Sequence, residues 1–229
     1  MIQTSVVCAP MLRDVPLRTV SDFIRERARG RPGDTALIDA VTDARCTYGA
    51  LDHLIGRCAA GLAANGFAPG DTLVIVAPNS PEWPIAALGA LSAGGVISAA
   101  NPAHGADELA RQMCETGARF AFTVPPFLIT VREAAAQAGS VTIIVLGEAE
   151  GTVSFASLLA SREPEPVLEL DPDALAALPY SSGTAGVAKG VILTHRTIVW
   201  NLCQTIQAFP MTKADVVLAV LPMFHTFGW

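Results

Sequence analysis

The sequence predicts an α/β fold: a mostly parallel sheet with helices packed on both faces. Short continuous apolar runs, suited to strands buried on both sides, alternate along the chain with segments of helical period. Glycine, asparagine and proline fall between them as stop and turn signals. The 229 residues are 51% hydrophobic and 16% charged, which supports a sizeable core and argues against disorder.

Each element follows in order. Asp22–Arg29 reads as a short charged helix stopped by Gly30 and Pro32. Thr35–Asp39 and Arg45–Thr47 read as short strands around a turn at Val41–Asp43. Leu51, Leu54, Ile55, Cys58, Ala59 and Leu62 recur at helical spacing, and Asn65-Gly66 ends that helix. Leu73–Ala77 is a strand buried on both faces. Ser80 is then the expected N-cap, with Pro81 at the first position of a helix reaching about Ala93. The alternation continues with a strand Val96–Ala99, a helix Asp107–Glu115, a strand Arg119–Thr123, a helix Phe127–Gln137 and a strand Val141–Leu146. Such βαβ units imply parallel pairing. Ser154–Ser161 reads as a short helix and Arg162–Pro172, rich in proline and acids, as a connector. Strands are expected at Leu175–Tyr180, Gly190–Leu193 and Val216–Leu221, with a helix over Ile198–Ile206.

Several function classes are disfavoured. The longest uncharged stretch, Trp83–Ala106, could span a bilayer by length. It is rich in small residues and interrupted by Gly94-Gly95, Asn101 and Pro102, so a buried helix followed by a buried strand explains it better. The N-terminus lacks the charged and apolar regions of a secretion signal. A net charge of −6 without a basic run disfavours nucleic acid and anionic membranes as partners. Cys8, Cys46, Cys58, Cys114 and Cys203 are odd in number and form no CxxC, so neither a zinc site nor a disulfide framework is indicated. A reducing, cytoplasmic setting is expected. Trp83 and Trp200 lie on predicted helices and read as packing residues, and His53 and His104 as surface groups.

The segment that carries chemistry is Tyr180–Gly190, between two apolar strands. Gly183, Gly186 and Gly190 let backbone N–H groups converge without Cβ obstruction. Ser181, Ser182 and Thr184 add hydroxyl donors, and Lys189 adds a positive charge. This set suits the oxygens of a polyphosphate. Read alone, it also fits a hydroxyl-rich turn with a surface lysine. It is not a Walker loop, because Lys189 is followed by Gly190 rather than Ser or Thr. Nor does a G-x-G-x-x-G pattern follow the Leu73–Ala77 strand, which argues against a dinucleotide site.

Ser181-Ser182-Gly183-Thr184-x-Gly186-x-x-Lys189-Gly190, followed by Val191–His195, resembles the phosphate loop of the adenylate-forming superfamily. That superfamily includes acyl-CoA ligases, 4-coumarate-CoA ligases, luciferases and peptide-synthetase adenylation domains. The resemblance extends, in the family's order, through Thr47–Leu51, Pro78–Glu82, Leu88–Leu91 with Ala93-Gly94, Asn101-Pro102 and Leu221–His225. It runs from about Thr35 onward and is strongest toward the 4-coumarate and fatty acyl-CoA ligases.

The resemblance implies a two-step reaction. A carboxylate attacks the α-phosphate of ATP to give acyl-AMP and pyrophosphate, and the acyl group then passes to CoA. It implies that Ser181, Ser182, Gly183, Thr184, Ala185, Gly186 and Lys189 bind the nucleotide phosphates, with Thr184 near Mg²⁺. His225 alone reads as a histidine at a strand end; the resemblance makes it a catalytic residue near the substrate carboxylate. Phe227 matches a position lining the acyl pocket. The family usually has Thr in place of Ala185 and Pro in place of Ala188. The missing hydroxyl removes a hydrogen bond to a charged group, worth about 1.5–3 kcal/mol.

The family's adenine, metal and ribose motifs, its hinge and its C-terminal lysine are expected beyond Trp229. The expectation is therefore the first N-terminal subdomain of an adenylate-forming enzyme, a ligase portion inactive alone. Residues 71–229 would form the α/β subdomain carrying the loop. Residues 1–70 would pack on a second subdomain, and the uncovered surface would favour a homo-oligomer. The alternative is a non-catalytic ATP- or pyrophosphate-binding module, or a scaffold needing a partner chain. The particular carboxylic acid is not legible.

Overall fold

The computed structural model describes residues 15–181, 189–209, 211–225 and 228. The chain opens with helix α1 (Val20–Arg29), whose N-cap Thr19 accepts a hydrogen bond from the Asp22 N–H at 3.1 Å. Strands β1 (Thr35–Ile38) and β2 (Arg45–Thr47) form an antiparallel hairpin. Helix α2 (Tyr48–Ala64) follows, capped by Thr47 through the Ala50 N–H at 3.2 Å. It ends at Asn65 and Gly66, and Gly66 takes the positive φ of 87° that its glycine predicts.

The sheet is then built from β3 (Thr72–Val76), α3 (Glu82–Ser92), β4 (Val96–Ala99), α4 (Ala106–Glu115), β5 (Ala118–Thr123), α5 (Leu128–Ala138) and β6 (Thr142–Val145). The strands β7 (Val153–Ser154) and β8 (Leu175–Ala177) flank α6 (Phe155–Leu159). A second hairpin, β9 (Tyr180–Ser181) with β10 (Lys189–Gly190), precedes β11 (Leu193–Thr194) and α7 (His195–Ala208). The large sheet has seven strands in the order β11-β8-β4-β3-β5-β6-β7. Its pairs are parallel except β11 with β8.

The alternation of side chains along the central strand produces the layers. Leu73 and Ile75 of β3 point into one core with residues of α1, α2, α3 and α6. Val74 and Val76 point the other way, into a core with α4 and α5. All of β3 is buried, as its unbroken apolar run requires. The described part of the 1–70 segment thus contributes α1 and α2 to the main core of the sheet. Gly61 lets α2 approach α6 so closely that a Cβ there would overlap the Leu158 carbonyl oxygen.

The connector 162–172 has no regular structure but is tied down. Arg25, its guanidinium largely buried, donates from Nε to Asp52 at 2.5 Å and forks onto both carboxylate oxygens of Glu165. Arg29 also reaches Asp52, at 2.9 Å. Gly56 makes room for this ion cluster, because a Cβ there would stand 2.5 Å from Glu165 Oε2.

Some expectations are corrected. Val216–Leu221 forms no strand: Val216, Val217, Leu218 and Val220 are 70–80% exposed. Apolar pattern signals a preference for burial, but a strand also needs a neighbour for its backbone groups, and this segment lies off the sheet. The expected strand 175–180 is divided between β8 and β9, and that at 190–193 between β10 and β11, because the hairpin leaves the sheet. Ser80 is not the cap of α3; Pro81 takes that position with an αR backbone and no side-chain bond. Trp83 is buried as a packing residue, whereas Trp200 is 42% exposed on the outer face of α7. His53 is exposed as expected, while His104 is half-buried. The short strand β7 is not among the expected elements, and its Ser154, the first residue of an expected helix, precedes that helix, which begins at Phe155.

Candidate functional site

Because β3, β4 and β8 are parallel, their carboxyl ends share one edge of the sheet. The chain leaves β3 toward α3 on one face and leaves β5 toward α5 on the other. Where connections diverge in this way, a crevice opens at the carboxyl edge, and open α/β sheets bind their ligands there. Two of the segments singled out by sequence come to this edge.

The first is the hairpin. Its legs pair Lys189 with Ser181 and Gly190 with Tyr180. Ser182, Gly183, Thr184, Ala185 and Gly186 lie outside the described residues, as does the placement of the Ser181 side chain. The described legs fix where the turn begins and ends. Lys189 is exposed on the returning leg. A cation beside Gly190 on the returning leg, at this edge, is an arrangement that can hold an anion.

The approach to the hairpin is pinned residue by residue. Leu178 donates its N–H to the Ile97 carbonyl at 2.9 Å and accepts from the Ser98 hydroxyl at 2.7 Å. Ser98 is fully buried and accepts in turn from Gln112 Nε2 of α4 at 2.9 Å. The Pro179 carbonyl accepts from the Val191 N–H at 2.8 Å. The Tyr180 hydroxyl donates to Glu115 Oε2, also on α4, at 2.8 Å. Burial, together with this bond and the Glu115 charge, pushes the Tyr180 phenol above its ordinary range, so it stays a donor. Sequence reasoning missed Ser98, Gln112 and Glu115. A signal exists only for Glu115: an acid at the last position of a helix opposes the helix dipole.

The second segment carries His225. Asn79, just past the end of β3, donates from Nδ2 to the Ala219 and Leu221 carbonyls at 2.9 and 2.8 Å. Its Oδ1 accepts from the Met223 N–H at 2.7 Å. Met223 and Phe224 pack against the main core. His225 is exposed at the end of this docked segment, in a turn closed by its N–H to the Pro222 carbonyl at 3.0 Å. Phe227 lies outside the described residues. Asn79 belongs to a motif the sequence displayed, but its clamping role needed the structure.

His195, at the start of α7, is a different kind of histidine. It is 1% exposed, and its Nδ1 accepts the Val20 N–H at 3.2 Å, joining α7 to α1. Burial lowers its pKa, with the Asp22 charge acting in the opposite sense. It acts as a core strut. Among the described residues no group of His, Cys, Asp and Glu could hold a metal ion. No described helix is long and apolar enough to cross a membrane.

The fold is shared with known proteins. The family model described as AMP-binding enzyme matches residues 24–229. The 4-coumarate–CoA ligase 5 of Oryza sativa subsp. japonica is 38% identical over 214 residues, covering 90% of this chain and 39% of that protein. The solved apo structure of MbtA from Mycobacterium smegmatis superposes with a TM-score of 0.84 at 31% identity, over 93% of this chain and 40% of that one. A benzoate CoA ligase from Burkholderia xenovorans gives a TM-score of 0.72 at 25% identity, over 85% of this chain and 37% of that one. The chain thus spans roughly two fifths of the length of the relatives it matches.

Proposed function

This chain belongs to the AMP-binding enzyme family, and from that premise we propose that it is the N-terminal portion of an ATP-dependent acyl-CoA ligase. The reaction joins a carboxylic acid to ATP, giving acyl-AMP and pyrophosphate, and then passes the acyl group to CoA. The observation that carries the reading is the position of the β9–β10 hairpin, with Lys189 on its returning leg at the carboxyl edge of the parallel sheet. Acyl-CoA ligases among the relatives support the acid-thiol chemistry.

In this reading Lys189, Ser181, Ser182 and Thr184, with the backbone of Gly183, Ala185 and Gly186, grip the β- and γ-phosphates. Donors preset around the departing pyrophosphate stabilise the charge that develops as the bond to the α-phosphate breaks. Thr184 is the residue assigned to Mg²⁺, which would neutralise phosphate charge when bound. His225, held by the Asn79 clamp, faces the substrate carboxylate, and Phe227 lines the acyl pocket. Residues 71–229 form the subdomain carrying the loop. The 1–70 segment packs additionally on a second subdomain, a role suited to the half-exposed β1–β2 hairpin. The exposed apolar residues of 216–221 support self-association. Cys46, Cys58, Cys114 and Cys203 are free thiols, which suits a cytoplasmic setting.

Calorimetric titration of the 229-residue chain with pyrophosphate tests the reading. Binding is expected, weakened about tenfold or more in Lys189→Met, the loss of one charged hydrogen bond. The chain alone is expected to give no ATP–pyrophosphate exchange. Absence of pyrophosphate binding at millimolar concentration would refute the phosphate assignment. A second reading, a non-catalytic pyrophosphate-binding module, is favoured by Ala185, which lacks the hydroxyl usual in the family. Supplying the remainder of a ligase to the chain as it stands separates the two: acyl-AMP formation with Ala185 in place supports the enzyme, and formation only in Ala185→Thr, or binding without it, supports the module.

A further inference from the structure

We propose that Glu115 is a positioning residue for the phosphate hairpin, acting through its hydrogen bond to the hydroxyl of Tyr180. The inference rests on the phosphate-binding reading above for its functional consequence, though not for the contact itself.

The residues leading into the hairpin are each fixed by a different partner. Leu178 is held by β4 through Ile97 and Ser98, Pro179 by the Val191 N–H, and Tyr180 by Glu115. The Leu178 and Tyr180 restraints converge on one helix. Gln112 supports Ser98, and Glu115 lies three positions later on α4, so both project from the same side of it. The Gln112 branch is buried and belongs to the sheet core. The Glu115 branch is exposed, spans 65 positions in sequence, and contributes nothing to that core. Its carboxylate also occupies the helix end where the dipole disfavours an acid. Arg111, one turn earlier on α4 at the i, i+4 spacing, offsets part of this, and the bond to Tyr180 gives the acid a further reason.

Tyr180 passes the restraint across the hairpin. Its residue pairs with Gly190, and its ring lies so near β10 that a Cβ on Gly190 would meet it at 3.4 Å. A ring held by its hydroxyl thus sets the separation and twist of both legs, and with them the position of Lys189 next to Gly190. Without Glu115 the Tyr180 hydroxyl loses its hold on α4, and the side chain can swing about its Cα–Cβ bond. The carboxylate works as a hydrogen-bond acceptor, and its negative charge is a disadvantage beside a polyphosphate. A neutral acceptor of the same shape should serve equally well or better.

The test compares Glu115→Ala, Glu115→Gln, Tyr180→Phe and the double variant Glu115→Ala/Tyr180→Phe in the full chain. Because Glu115 is exposed, its variants are expected to lower the melting temperature by no more than about 4 °C. Amide exchange at the hairpin legs should quicken several-fold in Glu115→Ala and Tyr180→Phe and stay at the wild-type level in Glu115→Gln. Pyrophosphate affinity should fall about tenfold in the first two, the worth of one hydrogen bond to a charged group. The double variant should be no worse than either single one, as members of one contact require. The chain has two tyrosines, so ¹³Cζ labelling reports the Tyr180 hydroxyl directly. That resonance should move in Glu115→Ala. If wild type fails to bind pyrophosphate, the functional reading falls, and exchange and ¹³Cζ shifts still decide the contact. Unchanged exchange and affinity in Glu115→Ala overturn the proposal, as does failure of Glu115→Gln to restore them.

Discussion

The side-chain amide of Asn79 and the backbone of Met223, 144 positions apart, are joined by a 2.7 Å hydrogen bond in which Met223 donates. The same amide donates to the carbonyls of Ala219 and Leu221. One side chain at the end of β3 thus docks the segment that carries His225.

Removing that amide should loosen the segment more than the fold. Asn79 is exposed, so each bond competes with water and the net loss in Asn79→Ala is about 1 kcal/mol. The melting temperature should fall by no more than about 4 °C. Amide exchange over 216–225 should rise well beyond that. Asn79→Asp should loosen it too: its carboxylate still accepts from Met223 but repels the Ala219 and Leu221 carbonyl oxygens, to which the amide donates. Equal exchange in wild type and both variants would contradict the clamp.

Gly61→Ala should destabilise the protein although it sits inside a helix. Helix propensity alone favours alanine by about 1 kcal/mol. The added Cβ, however, would overlap the Leu158 carbonyl oxygen, a backbone atom that cannot rotate away. Overpacking of this kind costs about 1–3 kcal/mol and should prevail. Urea unfolding reads the sign, and a stabilised variant would show that α2 and α6 are not this close.

His195 should make stability fall in mild acid. The folded protein resists its protonation because the ring is buried and Nδ1 accepts from Val20. The unfolded chain takes up that proton near the ordinary histidine value of 6.5. The contribution is therefore complete above that pH and shrinks as pH falls toward the lowered folded value. The slope is up to about 1.4 kcal/mol per pH unit. In His195→Asn, which keeps an acceptor without a titrating group, that part of the slope should vanish. Unfolding titrations from about pH 5 to 7.5 compare the two, and parallel curves would rule out the effect.

Asp52 should act at lower pH. Burial raises its pKa, but the hydrogen bonds from Arg29 and Arg25 outweigh this and hold it below the ordinary 3.8. Its stabilisation is thus present above that value and disappears as pH drops through the depressed one. Asp52→Asn should cost about 1.5–3 kcal/mol at neutral pH, a range set by bonds to charged groups. The gap from wild type should close in strong acid. A gap that persists there would assign the loss to packing instead of charge.

What the sequence determined by itself was local and repetitive. The unbroken apolar run of β3, the helical period of α2 and the Asn65-Gly66 stop specify their elements because burial and backbone preference act within a few residues. The motif proposed to bind phosphate was legible for the same reason, since its small residues and Lys189 lie in one short stretch. The tertiary structure alone decided what depends on partners far apart in the chain. Val216–Leu221 has a strand's composition and no strand's neighbours. Asn79 reads as a turn residue until Met223 is brought to it, and Glu115 reads as a surface acid until Tyr180 arrives. Hydrogen bonds and sheet pairing require two groups within about 3 Å, and only the folded chain sets such distances across 65 or 144 positions.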